Sequence, residues 1–285
     1  MAREGTAVTA PALGPALLFC PADRPDRYGK AADRADAVVL DLEDAVAPSA
    51  KADARAALVA TPLDPGRTVV RVNAAGTADL AADLAALTRT AYRTVMLPKT
   101  ASAADLDALA GFATVALVET AAGVLRVAEI AAVPHVVALH WGADDLVASL
   151  GGTASRHADG RWRDVARHAR ATVLIAAGAH GKPAYDAVHL DIADLDGLAR
   201  EAEDAAASGF AGTACIHPSQ VDVVRAAFRP DDAAVERARR LLEAAAGEHG
   251  VFRFEGRMVD GPVLAHAREV LRRAEAGSPP RGGPA

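Results

Sequence analysis

The chain has 285 residues, 51% of them hydrophobic, enough for one large domain or for a domain with a small appendage; the second arrangement is expected. Its 31 basic side chains against 37 acidic ones give a formal net charge of −6, which leaves no electrostatic footprint for nucleic acid. Two cysteines, Cys20 and Cys215, are too few for a disulfide framework, the N-terminus MAREGTAVTAPALGP lacks the layout of a secretion signal, and no apolar run approaches the roughly 20 residues of a membrane span, so a cytoplasmic protein without membrane contact is expected.

In chain order, short runs rich in Val, Ile, Leu and Ala recur at even spacing: Ala16–Cys20, Ala37–Leu42, Thr68–Asn73, Thr94–Lys99, Thr114–Thr120, His135–Trp141, Lys182–Val188 and Ala211–His217. They are continuous rather than alternating, as strands buried on both faces of a parallel sheet are. Between them lie Ala- and Leu-rich helical patterns at 49–60, 77–90, 102–110, 124–132, 163–179 and 194–208, several opening on a capping residue such as Ser49, Ser102 or Asp194. Eight such repeats over residues 16–228 predict an α/β fold, a closed (β/α)8 TIM barrel, because open doubly wound sheets commonly stop near six strands. After Pro218 the rhythm changes to helices at about 219–227, 232–246 and 262–275, with an apolar patch at 251–254 but no further buried strand, so residues 229–276 are expected to form a C-terminal helical lid. Residues 1–15 and the Pro/Gly-rich 277–285 are expected to be disordered.

Barrel enzymes carry their catalytic groups at the C-terminal ends of the strands, and ionisable residues gather there in this sequence. The second run ends in Asp41-Leu42-Glu43-Asp44, the third in Arg71-Val72-Asn73, the fourth in Pro98-Lys99, the fifth in Glu119-Thr120, the sixth in Gly142-Ala143-Asp144-Asp145 and the eighth in His217-Pro218. Glu119 and the Asp144-Asp145 pair stand on adjacent strands and offer the hard oxygen ligands that suit Mg²⁺. Each carboxylate alone is as readily a helix cap as a ligand; the pairing across neighbouring strands favours the metal. Arg71 brings a planar charged fork suited to a substrate carboxylate or to an internal salt bridge with Asp41, Glu43 or Asp44, and both roles are compatible.

The segments FCPADRPDRYGKAADRADAVVLDLEDAVAPSAK, RVNAAGT, VMLPKTASAADL, ALVETAAGV, WGADDLVASLGG and ACIHPSQV together resemble the citrate lyase β-subunit-like family, within the HpcH/HpaI aldolase superfamily, over about residues 16 to 275. That family includes malyl-, methylmalyl- and citramalyl-CoA lyases. The resemblance implies a Mg²⁺-dependent barrel, a homotrimer or hexamer, that cleaves or forms the bond between an acyl-CoA and a 2-oxo acid. Carried over motif by motif, it assigns the metal to Glu119 and Asp145, the oxo-acid carboxylate to Arg71, the orientation of that arginine to Glu43, and further substrate contacts to Gly142 and Ala143. Asp260 of GRMVDGP resembles the family's lid aspartate, delivered into a neighbouring subunit as acid/base; equally, it is placed to cap the helix that begins near Pro262.

Coenzyme A needs a basic docking surface, for which Arg24, Arg27 and Lys30 after the first strand are the candidates, although such residues also suit a plain solvated face. Lys99 could form a Schiff base, but a structural or electrostatic role fits the motif better. Trp141, where the family usually has a smaller stretch, is expected to narrow the pocket beside the metal. His217 reads as a core or hydrogen-bonding residue as readily as an acid/base, and the two cysteines as buried apolar residues. The alternatives to the lyase are a CoA-thioester hydrolase on the same scaffold, a pyruvate aldolase without CoA, and a β-subunit that works only with an acyl-carrier partner.

Overall fold

The computed structural model describes residues 13–248 and 250–276. Strands β1 (Ala16–Pro21), β2 (Ala37–Asp41), β3 (Thr68–Arg71), β4 (Thr94–Leu97), β5 (Ala113–Val118), β6 (Val136–Trp141), β7 (Ala184–Asp186) and β8 (Gly212–Cys215) close into one parallel barrel, with β8 pairing back onto β1. The expected (β/α)8 architecture is therefore the one observed. Every residue of β2, β4, β5 and β6 is buried, which explains why these strands read as unbroken apolar runs: one face fills the barrel and the other meets the surrounding helices.

The barrel interior is packed with Leu17, Val39, Val69, Leu117, Ala138 and Tyr185, among others. Side chains two apart on a strand share a face. Asp41, Arg71, Glu119 and His140 each lie two residues beyond one of these interior residues, so the chemistry-bearing groups continue the interior surface at its C-terminal end. Register agrees, since Asp41 pairs with Arg71 and Leu117 with His140.

Local detail departs from expectation in four places. Asp194 caps its helix by accepting from Gly197 N at 2.8 Å, but Ser49 caps nothing: it sits inside the 3₁₀ turn Pro48–Ala50. The segment Ala103–Leu109 is 3₁₀ rather than α-helical. Leu13–Pro15 are ordered, with Leu13 in the barrel core and the Pro15 carbonyl accepting from Thr213 N at 2.8 Å. The rest of the two termini expected to be disordered lies outside the described residues. The fourth departure is a β-hairpin, β9 (Phe252–Phe254) paired with β10 (Arg257–Val259), at the apolar patch inside the expected helical lid; all its residues but Val259 are half-buried or exposed. Its two-residue turn, Glu255 and Gly256, has positive φ at both positions, the backbone a tight hairpin requires. Strands of three residues are too short to show a period.

The chain divides into two compact units at Val224/Arg225, inside the helix Ser219–Phe228 and a few residues ahead of the boundary expected at 228. The C-terminal unit has its own small core of Ala238, Leu241, Val259 and Ala267. In the first unit Cys20 and Cys215 are both buried and not bridged to each other, as expected, and burial pushes the Cys20 thiol up to about 11. Among the described residues no helix is long and apolar enough to cross a membrane.

A buried polar network ties the helices Lys51–Ala60 and Ala78–Leu87 to the end of β3. Asp83, fully buried, accepts from Asn73 N at 2.8 Å, from Asn73 Nδ2 at 2.7 Å and from Arg55 Nε at 2.7 Å. Asp83→Ala strands those donors, and urea denaturation should show a loss of roughly 3 kcal/mol at an unchanged m-value. A loss below about 1 kcal/mol would mean that the network contributes little to stability.

Candidate active site

The mouth is built around Arg71. Its Nε donates to Asp41 Oδ1 at 2.7 Å and its Nη2 to Asp41 Oδ2 at 2.5 Å, a bidentate pair across neighbouring strands, while Nη1 lies 3.1 Å from Glu43 Oε2. The guanidinium also stacks over the Phe19 ring, 4.9 Å from its centroid. Burial works against this charge, but Asp41 first, then Glu43 and Glu119, outweigh it and hold the group well above its ordinary value. Of the two roles open to Arg71, the internal salt bridge is thus present, and it fixes the fork in place for any ligand.

Glu43 is held twice more. Its Oε1 accepts from Lys99 Nζ, and the backbone carbonyls of Leu42 and Glu43 accept from Lys51 Nζ at 3.0 and 3.2 Å. Lys51 also donates to the Asn73 side chain, so one half-buried ammonium pins the loop that carries Glu43 to the end of β3. Burial first raises the Glu43 carboxyl, and the cations beside it oppose that rise. Lys99 pairs with Asp44 as well, at 3.2 Å, and these contacts raise its ammonium further. A permanently charged, paired ammonium is a poor nucleophile, so the geometry argues against a Schiff base at Lys99.

Lys99 has a left-handed backbone, φ 53°, uncommon for a residue with a side chain. That turn aims its amide at Glu119, whose Oε1 accepts at 2.9 Å. Glu119 is 3% exposed. Burial, reinforced by the negative charge of Asp145, pushes its carboxyl up to about 8. Asp145 lies half-buried in the first turn of the helix Ala143–Ser149, and its neighbour Asp144 turns aside to accept from Ser155 Oγ at 2.9 Å. Gly142 makes the approach of β6 to Glu119 feasible: a Cβ there would stand 2.5 Å from Glu119 Oε2. The backbone of Gly142 therefore borders the carboxylate, with Ala143 buried immediately after it.

This arrangement fits a hard cation. A buried carboxylate with one oxygen on an amide, a second carboxylate near enough for its charge to raise the first, and a glycine whose bare backbone borders the first suit Mg²⁺, which is commonly held by one or two carboxylates. Among the described residues no three His, Cys, Asp or Glu converge as a metal cage, so a cation at Glu119 and Asp145 would keep positions for water or substrate.

The other sequence candidates have surroundings of their own. Trp141 does not narrow the mouth: it points to the outer face of the barrel, where Nε1 donates to Asp186 Oδ1 at 2.6 Å and the ring packs edge-on against Trp162, centroids 5.4 Å apart. His140, one residue earlier, faces inward instead. Arg24, Arg27 and Lys30 are exposed beyond β1, and Arg24 is engaged by Asp26 at 3.0 and 3.1 Å. His217 Nδ1 pairs with Ser219 Oγ at 2.8 Å at the start of the following helix. Asp260 accepts from Val263 N at 3.4 Å, a long cap on the helix Gly261–Ala276. Lys51 was missed because a lysine on the first turn of an amphipathic helix reads as solvated; only its distance to two carbonyls reveals it.

Fold and mouth together define a (β/α)8-barrel enzyme with its chemistry at the C-terminal end of the strands. The chain belongs to the HpcH/HpaI aldolase/citrate lyase family, whose model matches residues 16–218. It is 61% identical over 263 residues to a citrate lyase subunit beta-like protein of Mycobacterium tuberculosis, covering 92% of this chain and 96% of that one. It is also 36% identical over 273 residues to a (3S)-malyl-CoA thioesterase of Cereibacter sphaeroides, covering 91% and 94% respectively. Among solved structures it matches the protein CitE from Mycobacterium tuberculosis in complex with magnesium, acetoacetate and coenzyme A, at a TM-score of 0.90 and 61% identity over 93% of this chain and 99% of that one.

Two measurements test the metal assignment. Because Glu119 titrates near 8, Mg²⁺ must displace a proton at neutral pH; calorimetry in buffers of different ionisation enthalpy should show proton release, with affinity rising up to about pH 8 and levelling above it. Affinity independent of pH from 6 to 8 would remove Glu119 as a ligand. Gly142→Ala should abolish Mg²⁺ binding in the same assay while the far-ultraviolet circular dichroism stays unchanged.

Proposed function

We propose that the chain is a Mg²⁺-dependent carbon–carbon lyase that cleaves or forms a 3-hydroxyacyl-CoA thioester of the malyl, citramalyl, methylmalyl or citryl type, with acyl-CoA and a 2-oxo acid as the other side of the reaction. The observation that carries this reading is the placement of Arg71, Glu119 and Asp145 at one mouth in a chain of this family. The magnesium, acetoacetate and coenzyme A in the CitE structure support it.

Mg²⁺ held by Glu119 and Asp145 supplies Lewis-acid charge that stabilises negative charge developing on substrate oxygen. Arg71, locked by Asp41 and Glu43, binds the carboxylate next to the reacting carbon and fixes the bond to be broken. The backbone at Gly142 and Ala143 lines the same space. In the cleavage direction the 3-hydroxyl loses its proton, the carbon–carbon bond breaks with its electron pair passing to the acyl-CoA α-carbon, and the enolate so formed takes up a proton. Asp260, from a neighbouring subunit of a homotrimer or a hexamer built from it, is the group we assign to that proton transfer. Arg24, Arg27 and Lys30 are the proposed contacts for the CoA phosphates, and two buried, unbridged cysteines suit the reducing cytoplasm we assign to the protein.

A Mg²⁺-dependent screen of the four thioesters, with products identified by mass, tests the reaction. A 2-oxo acid with acyl-CoA is expected; the free hydroxy acid with CoA would instead establish the thioesterase reading, which the 36% identity to a malyl-CoA thioesterase keeps in play. Turnover of soluble thioesters by the purified chain alone would exclude a need for an acyl-carrier partner. Glu119→Gln and Asp260→Asn should each lose activity by more than a hundredfold, and mixing the two after unfolding and co-refolding should restore part of it, because some mixed sites combine an intact barrel with an intact aspartate. No recovery on mixing would place Asp260 in its own subunit's site or outside catalysis.

A further inference from the structure

The interior surface of the mouth holds one group that the reaction above does not use. His140 is 3% exposed, and neither Nδ1 nor Nε2 has a hydrogen-bond partner. Buried polar atoms are nearly always paired, and an orphaned side chain beside a reactive site is a binding candidate. Packing does not call for an imidazole here. The adjoining interior positions are Leu117, in register with His140 on β5, Tyr185, in register on β7, and Ala138, one interior step below. An apolar side chain would fill this place without leaving polar atoms unmet.

Its location is defined by the strand register. Arg71 pairs with Met96, Met96 with Val115 and Val115 with Ala138, so His140 stands one interior step closer to the mouth than the row that begins at Arg71. Glu119 lies one interior step beyond Leu117 on the neighbouring strand. His140 is thus on the strand next to that of the proposed metal carboxylate, and near enough to Arg71 for the guanidinium charge to act on it. Burial, with the positive charge of Arg71 added to it, pushes the imidazole down to about 3, so it is neutral and carries one N–H and one bare nitrogen.

Arg71 has little left to give a substrate. Of the five N–H groups on a guanidinium, two are spent on Asp41 and a third faces Glu43. The two that remain can fill only about half of the roughly four acceptor sites of a carboxylate, which leaves places for a further donor. We propose that His140 is that donor, hydrogen-bonding through its N–H to the carboxylate of the 2-oxo acid beside Arg71. The inference rests on the lyase reading and assigns a binding residue that the family motifs do not contain.

Calorimetric titration of pyruvate into the Mg²⁺-loaded protein tests it. His140→Met, similar in reach but without a donor, should weaken pyruvate roughly tenfold or more and raise KM far more than it lowers kcat, with Mg²⁺ affinity unchanged; His140→Gln, which keeps an N–H, should recover most of the loss. Wild-type pyruvate affinity in a folded His140→Met protein overturns the proposal. A readout free of mutation is the ¹⁵N spectrum of labelled histidine: the His140 nitrogens should shift when pyruvate joins Mg²⁺, and unmoved signals on saturation overturn it as well. Wild-type protein that binds no 2-oxo acid in the presence of Mg²⁺ overturns the lyase reading itself, and this inference with it.

Discussion

The bidentate pair between Arg71 and Asp41 is the constraint on which the mouth depends. Two opposite charges are brought together by register, because β2 and β3 pair Asp41 directly with Arg71 on the interior face. Neither charge could be buried alone at a tolerable cost, so the pair specifies its own geometry. Once the guanidinium is fixed, Glu43 is drawn against its remaining edge, Lys99 against Glu43, and the amide of Lys99 against Glu119. A chain of contacts thus runs from the second strand to the fifth.

The barrel supplies this chain with a platform, and its contribution is rigidity. Strand ends in a closed sheet cannot shift independently, and the two-residue alternation that packs the interior with Val, Leu and Tyr continues into the charged layer without a change of direction. The charged residues are the last layer of a core rather than additions to a surface. Behind them, Lys51 and Asp83 satisfy the carbonyls and amides that irregular backbone would otherwise leave unpaired.

Much of this was legible in the sequence because the barrel repeats its signal eight times. Continuous apolar runs gave the strands, and the residues ending them gave Glu43, Arg71, Lys99, Glu119 and Asp145 as one group. What stayed hidden depended on direction rather than position. Trp141 and His140 are adjacent, and the sequence pointed to the tryptophan as the pocket residue; strand parity turns it outward to Asp186 and turns the histidine inward. An unbroken apolar run hides that parity, which shows only in the packing of Ala138, two residues earlier, in the barrel interior. The roles of Lys51 and Asp83 were hidden too, since both lie on amphipathic helices where a charge is normally solvated. The hairpin at 252–259 escaped because three-residue strands carry no period, although Glu255-Gly256 has the look of a tight turn.

Lys99 meets the two halves of the site with different parts of itself. The ammonium belongs to the arginine side, through Glu43 and Asp44, while the main-chain amide belongs to Glu119. Side-chain replacement erases only the first of these. The other is written in the backbone torsion, which any residue able to tolerate a left-handed turn can reproduce, so its importance is invisible to alanine scanning. A catalogue of essential residues compiled by mutation would credit this position with half of what it contributes.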